Sequence, residues 1–185
     1  MDREKAMNKR PMIKIERVTG TCSKEYLFTE ELLTASFPTD EYRAIAEQRE
    51  YTESNPLFRM NIIRDGDTPI GMLSYWQFDG YIYIEHFAID PTQRGKGYGT
   101  KAIARIIEEH GSIVLEVERA TDATTSRRID FYLRNGLTLC PREYIQPAYR
   151  PDSKEVPMHL MSCGVDINKE FDKIKTTIYK KVYGK

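Results

Sequence analysis

The chain has 185 residues, enough for one domain with a sizeable core, and its 40% hydrophobic and 11% aromatic content is that of an ordinary globular protein. Lysine plus arginine and aspartate plus glutamate each total 28, so the balance argues against a nucleic-acid partner, which usually meets a clustered basic excess. No apolar run approaches the roughly 20 residues that span a bilayer, and the amino terminus MDREKAMNKRPM lacks the apolar core of a secretory signal.

No membrane partner is therefore expected, and the location implied is cytoplasmic. Cys22, Cys140 and Cys163 are odd in number, far apart and without CxxC spacing. They read as reduced thiols that act as small buried hydrophobes, with neither a disulfide frame nor a metal site.

Residues 1–11 are polar and aperiodic, which predicts a flexible terminus. Ile13 to Val18 alternates and predicts a first strand. Lys24 to Phe37 and Thr39 to Tyr51 have helical patterns separated by Pro38, with Thr39 as N-cap and Asp40 and Glu41 in the first turn. Leu57 to Arg64, Pro69 to Phe78 and Tyr81 to Ile89 are strand-like. Their connectors, Asp65-Gly66-Asp67 and Asp79-Gly80, carry the dipeptide of tight hairpins, so an antiparallel meander is expected.

Beyond the meander, Gly97 to His110 has a helical period ended by Gly111, Ile113 to Val117 is a short apolar strand, and Thr124 to Asn135 is a second helix ended by Gly136. Leu137 to Ile145 and Met158 to Cys163 look like a closing strand pair joined by a Pro-rich excursion. This order predicts a mixed sheet with helices on its faces. In the last segment Phe171, Ile174, Ile178 and Val182 share one stripe among lysines. That helix, within 165–185, is appended to a domain over 12–164. It docks on the domain or on a second copy in a homodimer, or else serves as a lid or a basic membrane-surface element.

The stretch FAIDPTQRGKGYGTKAIARII, Phe87 to Ile107, leaves backbone bare at Gly95, Gly97 and Gly99, with Arg94 and Lys96 between them. Amides at a glycine turn that opens a helix form a concave donor cluster, and the helix dipole adds positive character, so anionic oxygens bind there. A P-loop needs GxxxxGK[ST], which is absent. A dinucleotide fingerprint fails at Thr100 and would sit among parallel units. A ligand-free glycine turn leaves the two interleaved cations unexplained.

QRGKGYGT, Gln93 to Thr100, resembles the acetyl-CoA motif R/Q-x-x-G-x-G/A of the GNAT family of N-acetyltransferases, with Arg94, Gly97 and Gly99 at its specified places. EHFAIDP is similar to the family's fourth strand, and RRIDFYLRNGL, Arg127 to Leu137, to its later tyrosine-bearing helix. The resemblance covers Tyr81 to Leu137 and implies an α/β (α+β) acyl-CoA N-acyltransferase fold, a mostly antiparallel sheet whose central strands splay apart.

It also implies roles. The backbone of Phe87, Ala88 and Ile89 would pair with the pantetheine arm of CoA, since buried amides need partners and an unpaired strand edge supplies them. Amides from Arg94 through Gly95, Lys96, Gly97, Tyr98 and Gly99 to Thr100 would hold the pyrophosphate. Tyr132 would protonate the departing thiolate. A base is also required, because an amine is mostly protonated at neutral pH. Glu85 ranks first, Glu116 second and His86 third. Strict alternation puts Glu85 on the face of Tyr83 and Phe87 and His86 on the other, unless a bulge intervenes.

Where relatives carry an asparagine that binds the arm, this chain has Thr124-Thr125-Ser126, and the Ser126 hydroxyl is the substitute. Tyr144, Tyr149, Arg150, Tyr75 and Trp76 are expected around the acceptor, which is a small-molecule or peptide amine. Three functions stay open at this point: an N-acetyltransferase using acetyl-CoA by direct attack in a ternary complex, a catalytically silent CoA-binding regulatory module, and a nucleotide-binding domain.

Overall fold

The strand β1 (Ile13–Val18) opens a computed structural model that describes residues 13–185; the terminus expected to be flexible, 1–11, lies outside the described residues. Helix α1 (Lys24–Ser36) starts where the Ser23 hydroxyl accepts from the Tyr26 amide, and it stops ahead of Pro38. The second predicted helix does not start at Thr39. Thr39–Glu41 makes only a short 3-10 turn, Tyr42 is extended, and α2 runs Ile45–Ser54. The break lets Arg43 turn inward, where it is 1% exposed.

Three strands, β2 (Phe58–Asp65), β3 (Thr68–Phe78) and β4 (Tyr81–Ile89), form the antiparallel meander. Its two turns need positive φ, which Gly66 (59°) and Gly80 (81°) supply. Helix α3 (Tyr98–His110) and strand β5 (Ile113–Glu118) follow, and the crossover makes β5 parallel to β4. Helix α4 (Ala123–Arg134) begins with a reciprocal capping box between Asp122 and Thr125. The expected strand after it is two short ones, β6 (Thr138–Leu139) and β7 (Tyr144–Gln146), broken around Pro141. Both pair antiparallel with β8 (Val156–Cys163).

The sheet order is β1-β2-β3-β4-β5-β8-β6, with β7 also on β8. Its central strands are covered on both faces. One core unites α1 with Tyr81 and Tyr83 of β4 and with the stripe of α5 (Ile167–Lys181), which buries Ile167, Phe171, Ile174 and Ile178. The other unites α3 with Ile82 and Ile84. The carboxyl-terminal helix thus packs on its own domain, and Val182 and Tyr183 continue into the core. Of the cysteines, Cys140 is buried and Cys163 half-buried, but Cys22 is exposed, against the expectation for it.

Candidate active site

Strands β4 and β5 pair only over Ile82–Ile84 and Ile113–Leu115 and then part. The edge of β4 from Glu85 to Ile89 is left without a strand partner on that side, which exposes a row of main-chain donors and acceptors. A cavity of about 280 Å³ fills the gap. It is lined along β4 by Ile84 to Ile89, along β5 by Leu115 to Glu118, and from α4 by Arg128, Phe131 and Tyr132. Arg94 closes one end, where its Nε donates to the Ile89 carbonyl (3.2 Å).

The glycine loop connects β4 to α3, and its three glycines have two different reasons. Gly95 (φ 79°) and Gly97 (φ 74°) adopt left-handed backbone with open space where a Cβ would stand. Gly99 has an ordinary φ, but a Cβ there would meet the Phe131 ring at 3.2 Å, so it lets α3 approach α4 closely. Gly97 is the N-cap of α3 and, unlike the caps of α1, α4 and α5, brings no side chain to the first helical amides. Those amides are available to an anion. Tyr98 anchors the loop by donating from its hydroxyl to Asp65 (2.6 Å), and Lys96 leans on Gln93 (2.8 Å).

The β3–β4 register slips between Ser74 and Tyr75, which face His86 and Ile84 and leave Glu85 as the extra residue of a bulge. Strict alternation fails here. Glu85 and His86 both reach partners on the α1/α2 side, whereas Phe87 packs in the opposite core. The Glu85 side chain is wholly buried (0% exposed) although the residue as a whole is half-buried, so what it offers the cavity is main chain. Its carboxylate takes both terminal nitrogens of Arg43, the Trp76 indole (3.2 Å) and the Tyr149 hydroxyl (3.0 Å). Burial alone would raise its pKa. The Arg43 charge overrides this and holds the carboxyl below its ordinary range.

His86 has both ring nitrogens occupied. A carbonyl only accepts, so Nε2 donates to the Glu41 carbonyl (2.9 Å), and Nδ1 then accepts from Ser74 (3.1 Å). Burial lowers its pKa, which keeps it neutral. Glu116 differs from both. It is half-buried, it lines the cavity, and every partner of its carboxylate is neutral: Tyr144, Gln146 and the Tyr183 hydroxyl (2.8 Å). Burial pushes its pKa up, and those donors only partly oppose the shift.

The acetyltransferase (GNAT) family model matches residues 25–137, more than half of the chain. This chain is a member of the GNAT family. A GNAT-family putative acetyltransferase from Bacteroides thetaiotaomicron superposes with a TM-score of 0.90 at 41% identity, covering 93% of this chain and 99% of that one. A Bacillus subtilis acetyltransferase in complex with CoA shares the fold at a TM-score of 0.56 and 14% identity, over 83% of this chain and 99% of that one. Among curated proteins, the putative acetyltransferase YjbC of Bacillus subtilis (strain 168) is 28% identical over 106 residues, 56% of this chain. The match spans about half the length (53%) of that relative.

Within the GNAT fold, Tyr132 lines the cavity at 8% exposure. Burial raises its pKa to about 12, so the phenol keeps its proton at neutral pH. Ser126 stands apart from the lining residues, and its hydroxyl donates to the Asp122 carbonyl (2.8 Å), which leaves it only acceptor capacity. The aromatic residues expected at the acceptor are not in the lining either. Tyr144 and Tyr149 stand behind the cavity holding Glu116 and Glu85, Trp76 holds Glu85, and Tyr75 packs with the opposite core, edge-on to His110. Arg150 ties down the Tyr42 carbonyl (3.1 Å). The rest of the cavity lining includes Ser36, Phe37, Glu41, Gln146 and Met158. Sequence patterns gave no sign of Glu41, Arg43, Gln146 or Tyr183, because each acts through a contact more than 25 residues away.

Proposed function

We propose that this protein transfers the acetyl group of acetyl-CoA to a primary amine by direct attack in a ternary complex. The observation that carries the reading is the junction of two features: an uncapped α3 with left-handed glycines, next to a cavity at the β4–β5 split walled by Tyr132 and Glu116. The residues fit CoA. The loop from Arg94 to Thr100 offers amides and two cations to a diphosphate, and the free edge of Phe87, Ala88 and Ile89 offers main-chain partners to an amide-bearing arm. When bound, acetyl-CoA supplies the acyl group as a thioester.

The chain's own groups then divide the remaining work. A main-chain amide on the open β4 edge donates to the carbonyl oxygen as negative charge develops on it. Tyr132, protonated at neutral pH, donates to the sulphur as the C–S bond weakens. A carboxylate takes the proton that the ammonium must lose. Glu116 suits this role better than Glu85, because its raised pKa strengthens it as a base and no cation neutralises it, whereas Arg43 consumes Glu85. His86, with both nitrogens engaged, is a strut for the Glu41 turn.

The test is thiol release from acetyl-CoA with a panel of small amines and peptides. Acceptor-dependent release is expected. CoA binding without release for any acceptor would favour a regulatory CoA-binding module instead.

A further inference from the structure

Four glutamates line the cavity, and two of them are already neutralised: Glu85 by Arg43 and Glu118 by Arg128. Glu116 is held by neutral donors alone, and Glu41 has no ion-pair partner among the described residues. Behind these carboxylates lies a more specific signal. Gln146 is 5% exposed and gives its Nε2 to Glu116, which fixes the amide orientation and makes Oε1 an acceptor. That Oε1 is buried and has no hydrogen-bond partner among the described residues. The hydroxyl of Ser36, also in the lining, is likewise buried without a partner.

A buried acceptor left unpaired costs on the order of 1–3 kcal/mol, so a group that brings donors is the natural occupant. An ammonium brings three donors and one positive charge, which answers both deficits. A carboxylate-bearing ligand would instead meet two like charges. We propose that the acceptor end of the cavity is an ammonium site, with Glu41 and Glu116 as counter-charges and the Gln146 amide oxygen as hydrogen-bond acceptor, and that it selects cationic amines lacking a nearby carboxylate. The inference rests on the amine-acetylation reading and narrows its substrate class. Glu41 owes its place to two contacts with β4: His86 holds the Glu41 carbonyl, and Arg43 pins the same turn through Glu85. Burial, with the Glu118, Glu116 and Asp40 charges, raises the Glu41 pKa to about 7 against the opposing charge of Arg128.

The test compares n-butylamine with 4-aminobutanoate, which have the same carbon chain and differ by a terminal carboxylate, in the wild type and in Glu41→Gln. In the wild type, kcat/KM should favour n-butylamine by about tenfold or more, the scale of one like-charge contact in a partly screened site. Glu41→Gln should raise KM for n-butylamine several-fold and shrink the preference, with kcat and CoA affinity kept. Gln146→Leu, which removes the orphan acceptor, should also raise KM. Equal use of the two amines, turnover of neither, or a fall in kcat at constant KM in Glu41→Gln overturns the ammonium site. The acetyltransferase reading fails separately, if no amine or peptide in the wider panel releases thiol.

Discussion

Arg43 and Glu85 form a two-nitrogen ion pair with the side chains 1% and 0% exposed, and it links the turn after α1 to the bulge of β4. The guanidinium lies 4.8 Å from the Tyr51 ring centre, with Phe58, Trp76 and Tyr149 at 5.4–5.5 Å. The pair therefore fixes the position of the turn that carries Glu41, and it keeps Glu85 as a structural carboxylate.

Removing one member strands the other. Arg43→Met should lose about 3–5 kcal/mol in urea unfolding at pH 7, and adding Glu85→Gln should restore part of that loss. The Glu85 carboxyl is held below its ordinary range, so its stabilising contribution is complete at neutral pH and fades as pH falls through the acid range. The wild type should thus lose stability on acidification more steeply than the double variant. A double variant as unstable as Arg43→Met would contradict this.

Gly97 caps α3 with a φ of 74° and has open space around its missing Cβ. An indole there would start from a Cβ in open space and crowd the mouth of the amide cluster. Gly97→Trp should keep the circular dichroism spectrum and lose CoA binding by calorimetry, with a backbone strain of about 1–2 kcal/mol. Wild-type affinity would remove the loop from the site.

Tyr132 of α4 and Glu116 of β5 both line the cavity and are assigned to opposite proton movements. Tyr132→Phe should lower kcat by roughly 10²-fold with CoA affinity kept, and Glu116→Gln should do the same. Unchanged turnover in either variant would remove that residue's role.

The Glu41 carboxyl, raised to about 7 by burial and by Glu118 and Glu116, with Asp40 adding to the shift and Arg128 opposing it, is half ionised near neutral pH; His86, neutral, touches only its carbonyl. An ammonium needs the ionised form. KM for n-butylamine should fall as pH rises from 6 to 8, and the slope should vanish in Glu41→Gln. For stability the sign is reversed: the folded pKa is raised, so protonated Glu41 favours the fold and this contribution declines as pH rises toward 7 and above.

Much of this architecture is legible in local sequence. The meander follows from Asp65-Gly66-Asp67 and Asp79-Gly80, and the loop from Arg94 to Thr100 declares itself by Gly95 and Gly97, whose φ values other residues rarely adopt. Non-local contacts are the part that is not legible. The β4 bulge depends on pairing with β3, and it moves Glu85 and Phe87 to opposite sides against a simple alternation. Nothing near Glu85 in sequence announces Arg43, 42 residues earlier, or Tyr149, 64 later. The expected second helix begins late because Tyr42 is extended and Arg43 turns inward, a preference set by the aromatic ring around it and not by its neighbours. Glu116 reads as a strand carboxylate until Tyr183, 67 residues on, closes over it.

The most direct test of the central claim is calorimetric titration of the purified protein with CoA, alongside ATP and NAD. Saturable heat is expected with CoA, sharply reduced in Gly97→Trp, and none comparable with the other two nucleotides. No heat with CoA at millimolar concentration, or tighter binding of ATP or NAD, would contradict it.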